Sequence, residues 1–512
     1  MSNTDAIDLQ PNDRHHSKGS SGSTLAKEIL DNLTAETIAH CHWKSNDHLH
    51  EALDGSTDLD LLVDSERLED IYRIFSASGL RRGRTAGYRS EPGLEDFLGY
   101  DRMTGNLVHI HTHYRLVTGE RHLKRYRLPW EREVFSSVIK NQDDVYIPHP
   151  SVEATLLIIR VALKIRTRDR VGRLVGRSAL GKGFDAELQK LRDQTSDGII
   201  IENAGQWIDA EYADLIARGL ATKFDTSLML DARRRLRNHL KLHTSHRGAP
   251  ALAKRLRREV AWFQRGLGRY YLNRPRVFGR GLPSGGLLVA FIGSDGSGKS
   301  SLIKDLRGWF SEKVDTMSMY FGSGDGSASI LRWPLNLARK LNDRRPCSTP
   351  DASASASPKS VSSRPGPAKV VWAIVLAHEK KAKLKKAMRA RDRGMLVICD
   401  RYPQSQFPGI NDGPMLGAWA GGGIKGRLAR YEARVYETAE WAAPDLVIRF
   451  NVDQAHAQAR RPEHDPRDLT RRRELVAELE YPRARFGIVD IDANQPYDDV
   501  LEAVKAVIWV RI

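Results

Sequence analysis

The chain has 512 residues, of which 40% are hydrophobic and 28% charged, and its formal net charge is +17. That length exceeds one ordinary core, so two or three domains of a globular protein are expected. No apolar run approaches the ~20 residues of a membrane-spanning helix, and the first residues lack the apolar core of a signal peptide. Cys41, Cys347 and Cys399 lie far apart, without disulfide-framework or zinc-ligand spacing, which points to a reducing, cytoplasmic setting. The positive charge favours anionic partners without choosing among nucleotides, nucleic acid and a membrane surface.

Residues 1–22 are polar and Gly/Ser-rich and read as a disordered tail. An α/β pattern fills 23–150. Within it, Gly55-Ser56-Thr57 leads into a strand, Asp58-Leu59-Asp60-Leu61-Leu62-Val63, whose alternation puts both carboxylates on one face. Two acids side by side repel each other and ordinarily need a cation between them. His109, His111 and His113 alternate in the same way along Leu107–Tyr114. A polar, solvent-facing strand side is the commoner reading of such a run, and a metal triad the sharper one.

With Lys44-Ser45-Asn46 upstream of Asp58-Leu59-Asp60, residues 35–165 resemble the nucleotidyltransferase superfamily. In that family an Asp-x-Asp strand holds two Mg²⁺ ions and a Gly-Ser turn grips the triphosphate. The resemblance implies Asp58 and Asp60 as metal ligands and a third acid from a later strand. Two departures stand out: Lys44-Ser45-Asn46 lacks the glycine, and Leu107–Tyr114 offers histidines where the acid belongs. Neutral imidazole is a poor Mg²⁺ ligand, so little nucleotidyl transfer is expected in Mg²⁺ alone, with Mn²⁺ the nitrogen-tolerant alternative.

A helical extension and basic linker occupy 151–280. Arg233-Arg234-Arg235, Lys254-Arg255 and Arg257-Arg258 are interleaved with Trp262, Phe263, Tyr270 and Tyr271. Such a stretch suits single-stranded nucleic acid or an anionic membrane surface, but more commonly forms a solvated helix face. Pro283-Ser284-Gly285-Gly286 marks a domain boundary.

Leu287–Ile292 is an apolar run suited to a buried strand. The glycine-rich loop after it, Gly293-Ser294-Asp295-Gly296-Ser297-Gly298-Lys299-Ser300, fits G-x-x-x-x-G-K-[ST]. From Ser301 the apolar residues Leu302, Ile303, Leu306, Trp309 and Phe310 keep helical spacing. Strand, loop and helix in that order cradle ATP phosphates on backbone N–H groups. Lys299 reaches the β- and γ-phosphates, and the Ser300 hydroxyl takes one Mg²⁺ position. Met317–Phe321 reads as the next strand and leads into a loop carrying Asp325, at the sheet edge where such folds bind ligands. Residues 342–369 are Ser/Pro/Ala-rich and read as a disordered insertion, after which Val370–Arg391 resumes as a helix. Met395–Cys399 is a second buried strand. It delivers Asp400-Arg401-Tyr402 beside the phosphate loop, Asp400 for Mg²⁺ and Arg401 for an acceptor phosphate.

The phosphate loop, Asp400-Arg401-Tyr402 with Ser405, the strand after Pro444-Asp445 and the arginine-rich run 460–473 come in one order. In that order residues 286–512 resemble the thymidylate kinase family of P-loop kinases. The resemblance implies a parallel sheet with flanking helices, ATP with Mg²⁺, and a nucleoside monophosphate acceptor, dTMP by default. It also implies Arg401, Tyr402 and Ser405 as acceptor contacts, to which the position of Asp325 at the sheet edge adds a fourth candidate. In the family the arginine-rich run is a catalytic lid, which makes Arg460, Arg461, Arg467 and Arg471 its candidates here. The family's thymine-contacting segment is replaced by Gln406–Pro414, so phosphate handling is kept and base recognition is not. Three further readings stay open. One is a nucleotidyltransferase with a nucleotide-sensing kinase-like half, one a kinase for a glycan or sugar phosphate, and one a regulator docked on nucleic acid or membrane. A homodimer is open too.

Overall fold

The fold was read from a computed structural model that describes residues 24–120, 123–165, 183–245, 248–270, 275, 277–282, 284–322, 367–408, 412–417, 422–462 and 465–512. The expected tail, Asp325 and most of the expected insertion lie outside these residues.

The N-terminal half is built on a five-stranded mixed sheet. Its strands are β1 (His40–His42), β2 (Asp58–Val63), β3 (Arg81–Arg82), β5 (Leu94–Tyr100) and β6 (Leu107–His113), in the order β1-β2-β6-β5-β3; a short β4 (Arg84–Thr85) lies between β3 and β5 in the chain. Alternation decides what each face does. Leu59, Leu61, Phe97, Val108 and Ile110 point into a core shared with Ile29, Leu33, Ile71 and Phe75. The opposite face gathers the polar residues. β2 and β6 run parallel with Asp58 opposite His109 and Asp60 opposite His111, while antiparallel β5 sets Asp96 opposite His111.

Two hairpins follow, β7 (Leu116–Glu120) with β8 (Leu123–Leu128) and β9 (Val138–Lys140) with β10 (Tyr146–Pro148). The helix Pro150–Lys164 starts with proline at its first turn, where a missing N–H costs nothing. It is buried almost throughout, and helices Phe184–Arg192, Asp197–Trp207, Ala210–Thr222 and Thr226–His239 wrap it. The basic helix Gly248–Tyr270 does not present a solvated charged face. Arg255 reaches Glu120 and Arg258 reaches Glu91, both inward, whereas Leu256, Val260, Phe263 and Leu267 are exposed. No helix among the described residues is long and apolar enough to cross a membrane.

β1 buries two histidines, His40 beneath an Ile38 carbonyl and His42 against the Asn46 side chain. Burial pushes both imidazoles below their usual range, outweighing hydrogen bonds that favour the charged form. A histidine depressed by folding leaves the unfolded chain binding more protons, so stability is full above the unfolded pKa and falls as pH drops through it. Thermal denaturation between pH 7.5 and 5.5 is therefore expected to show stability falling on the acid side. His42→Gln should flatten that slope. A slope unchanged in that variant would remove His42 as a cause.

After β11 (Arg280–Gly281), which pairs with β4, the C-terminal half forms a second sheet. β12 (Leu287–Gly293), β13 (Thr316–Tyr320), β14 (Leu396–Asp400), β15 (Leu446–Asn451) and β16 (Ile488–Asp492) are all parallel, in the order β13-β14-β12-β15-β16. β12 and β14 are buried along their whole length, as continuous apolar runs in a doubly covered sheet must be. Leu306, Phe310, Val504 and Ile508 cover one face, from helices Lys299–Lys313 and Tyr497–Val510. Leu384, Ala387 and Ala439 cover the other, from helices Pro367–Arg391 and Gly423–Trp441. The fold class read from the sequence, α/β with a parallel sheet and flanking helices in the C-terminal half, is the one found. The halves also touch directly. Leu98 and Leu107 pack into the cluster of Phe310 and Trp509, Trp309 Nε1 donates to the Gly105 carbonyl at 3.0 Å, and Tyr100 donates to Glu502 at 2.6 Å.

Candidate functional site

β12 ends where the helix Lys299–Lys313 begins, and Gly293–Ser300 turns between them. Gly296 and Gly298 take positive φ, +86° and +81°, a backbone that side chains resist. A Cβ on Gly296 would stand 2.9 Å from the Ala457 carbonyl, so the helix Gln454–Arg460 closes down directly on the loop. Gly296→Ala is accordingly expected to cost about 1–2 kcal/mol of stability. ATP affinity should drop about tenfold or more by calorimetry; wild-type affinity would mean the loop tolerates a side chain at its tip.

Lys299 is folded into the loop and only 6% exposed. Its ammonium donates to the Gly293 and Ser294 carbonyls and to Ser297 Oγ at 2.7–2.8 Å. Burial, then the Arg401 charge, push it down to about 8. Phosphate oxygens entering the loop would restore the lost solvation. Ser300 Oγ donates to Asp400 Oδ2 at 3.0 Å, joining the first turn of the helix to the end of β14. A hydroxyl and a carboxylate are the hard oxygen donors Mg²⁺ takes, so these residues fit that ion. Bound there, Mg²⁺ would offset charge on phosphate oxygens. Burial raises the Asp400 carboxyl against the pull of Lys299 and Ser300.

Arg401 follows β14 in the left-handed region, φ 66°, an uncommon conformation for a residue with a side chain. Its N–H donates to the Phe291 carbonyl, and its guanidinium lies 2.6 Å from Asp295 Oδ1 and 3.5 Å from Asp412 Oδ2. Asp295 is clamped a second time, by Arg472 of the helix Pro466–Ala477 at 2.7 Å. Arg472 was not singled out from the sequence, since eight arginines in 460–485 look alike without coordinates. Of those that were, Arg460 donates to the Gly296 and Ala493 carbonyls at 3.3 Å, while Arg461, Arg467 and Arg471 are exposed. Lys380, buried on the helix Pro367–Arg391, donates to the Asp412 carbonyl and the Tyr436 hydroxyl and completes a charged wall beside Arg401.

Two expected acceptor contacts are spent elsewhere. Tyr402 is buried and its hydroxyl donates to the Ala442 carbonyl, and Ser405 donates to Glu440. Gln404, 1% exposed, closes its own loop by exchanging hydrogen bonds with the Phe407 backbone.

In the N-terminal half, Asp58 and Asp60, expected as Mg²⁺ ligands, meet a different donor set. Lys313 Nζ lies 3.0 Å from Asp58, and His109 Nδ1 lies 2.6 Å from it, outside hydrogen-bond geometry. Lys44 Nζ lies 2.6 Å from Asp60, with His113 at 3.3 Å. Burial opposes ionisation of both acids, but these partners hold both carboxyls well below the usual range. With ammonium groups already on each acid, the residues do not fit a Mg²⁺ pair. A third acid does exist, not on the histidine strand but on its other neighbour. Asp96 accepts from His109 Nε2 at 2.7 Å and His111 Nδ1 at 3.0 Å. Two groups, Asp60/His111/His113 and Asp96/His109/His111, hold ligand atoms within 4.8 Å of one another, a set for a nitrogen-tolerant ion rather than Mg²⁺.

Over 237 residues the chain is 34% identical to the uncharacterized ATP-binding protein YghR of Escherichia coli strain K12, covering 44% of this chain and 88% of that protein. It is 29% identical over 225 residues to the uncharacterized ATP-binding protein YghS of the same strain, 42% of this chain and 90% of that protein. No protein-family model matches. Among solved structures, a deoxyadenosine kinase from M. mycoides with bound dATP aligns at 12% identity and a TM-score of 0.24, covering 43% of this chain and 98% of that one.

Proposed function

The chain belongs to the family of the ATP-binding protein YghR, and we propose that its C-terminal half is an ATP- and Mg²⁺-dependent kinase for a phosphorylated small-molecule acceptor, a nucleoside monophosphate in the first instance. One observation carries the reading: Lys299, the Ser300–Asp400 pair and Arg401 converge at the carboxyl edge of adjacent parallel strands. That edge is where open α/β sheets bind ligands, and donor and acceptor charge would meet there. Lys299 orients the donor phosphates, Arg401 holds the acceptor phosphate, and Arg472 and Arg460 close over the loop from the lid side. Together they offset the negative charge that gathers on the transferring group.

A second acceptor class is favoured by a specific feature. Tyr402 and Gln404, the polar side chains flanking the acceptor loop, are satisfied within the protein and offer nothing to a thymine ring. A sugar phosphate or glycan precursor needs no base pocket, and this reading shares every phosphate contact with the first. The deciding experiment is transfer from γ-labelled ATP to dTMP, other monophosphates and sugar phosphates. Transfer to monophosphates supports the first reading and transfer to sugar phosphates alone the second. ATP binding without transfer to any acceptor removes the kinase. We propose the cytoplasm as its compartment. Nucleotidyl transfer by the N-terminal half, docking on nucleic acid or membrane, and a homodimer stay secondary proposals.

A further inference from the structure

The helix Gly248–Tyr270 turns three arginines inward and its large apolar residues out. Arg258 reaches Glu91, Arg255 reaches Glu120 and Glu259, and Arg265 donates to the Val277 carbonyl at 3.0 Å. On the opposite side Leu252, Leu256, Val260, Phe263 and Leu267 are 41–62% exposed. Among the described residues sixteen large apolar side chains are exposed. Six of them, with Trp262, lie on this helix, and the other ten are spread through the chain. Scattered exposed apolar residues need no explanation, but a contiguous row of them does.

The row has a period. Ala249, Leu256 and Phe263 recur every seventh residue, and Ala253, Val260 and Leu267 do the same, four residues behind. These are the d and a positions of a heptad repeat, the seam along which two helices interlock. With Leu252 the two sets share an arc of about 100°, and over about 27 Å of helix no charged side chain falls inside it. Arg257 and Gln264 run along one edge of the arc, Glu259 and Gly266 along the other, so neither edge carries a run of like charge. A helix that lies on an anionic membrane, or binds nucleic acid, offers its cations to the partner. Here three of them are spent inside the fold.

We propose that this face pairs two copies of the chain, the helix Gly248–Tyr270 of one against its counterpart in the other, in a weak homodimer whose seam lies outside both sheets. A two-fold axis sets the same apolar row against itself, the commonest way in which soluble chains associate. Five large apolar side chains from each copy would hide on the order of 1,000 Å² in all, the least that a specific interface needs. The pairing does not depend on what the kinase half phosphorylates.

The test is analytical ultracentrifugation of the full-length chain over a range of concentrations, at low and high sodium chloride. The wild-type chain is expected to pass from monomer to dimer in the micromolar range. Leu256→Gln with Phe263→Gln, both at exposed positions, should weaken the dimer at least about tenfold and leave the melting temperature of the dilute chain unchanged. Salt should leave the dimer intact or tighten it, because the seam is apolar and two chains of net charge +17 repel each other less when screened. A wild-type chain still monomeric at about 100 µM overturns the proposal, and so does a dimer that the double substitution leaves as tight. Binding to phosphatidylserine vesicles that high salt and the double substitution both abolish would give the face to a membrane instead, and overturn it too. A second measurement needs no variant: hydroxyl-radical labelling of Leu256 and Phe263, read by mass spectrometry, should fall as the wild-type chain is concentrated. Labelling that does not change with concentration would refute the pairing.

Discussion

Lys299→Ala is expected to cut ATP-dependent phosphoryl transfer by roughly 10²–10³-fold or more, the scale for one preorganised donor aimed at developing charge. The melting temperature should move by no more than a few degrees. Lys299 fills no apolar cluster; its ammonium is held by two loop carbonyls and Ser297 Oγ, and Ser297 keeps a second bond to the Ser294 carbonyl at 2.9 Å. Removing a desolvated ammonium therefore loses hydrogen bonds and recovers solvation cost, two changes of opposite sign. Transfer of labelled phosphate, read beside a thermal melt, separates the effects. A Lys299→Ala protein with full activity would end the kinase assignment.

Arg401→Ala is expected to lower acceptor kcat/KM by about 30- to 150-fold, which corresponds to the ~2–3 kcal/mol of a bidentate charge-assisted pair. The contacts sharpen this expectation. Arg401 already neutralises Asp295, whose other oxygen faces Arg472, so the loop keeps one arginine clamp after the substitution. ATP binding should then change little. The backbone works in the same direction, because alanine at φ 66° is no easier than arginine and the loop's path stays. Steady-state kinetics with both substrates varied decide it. Parallel losses for ATP and acceptor would put Arg401 on the donor side, through Asp295.

Chain-local features were legible and cross-strand ones were not. Gly293–Ser300 carries its function in consecutive residues, and Asp400 follows an apolar run that could only be a central strand, so both were found where the sheet places them. Asp58 and Asp60 declared a shared face by alternation. Asp96 did not, since its meeting with His109 depends on β5 pairing antiparallel to β6, a register no local pattern reveals. The same holds for Arg472, which differs from Arg471 only by the hundred degrees of helix rotation that aim it at Asp295. Tyr402 and Ser405 matched a motif in spacing, yet packing against Ala442 and Glu440 decides where their hydroxyls point.

The helix Lys299–Lys313 is about 22 Å long at 1.5 Å per residue. Its first residue holds the loop that would receive ATP, and its last side chain rests on Asp58 in the other half. The two halves are thus not cargo on a tether that could be traded for other domains. Separating the halves at the 283–286 segment would strip Lys313 from Asp58, which would then ionise less readily beside its neighbours. It would also bare Leu98 and Leu107 on one fragment and Phe310 and Trp509 on the other. Each fragment made alone should be sticky and poorly behaved, and the pair, expressed together, should find each other without a covalent link.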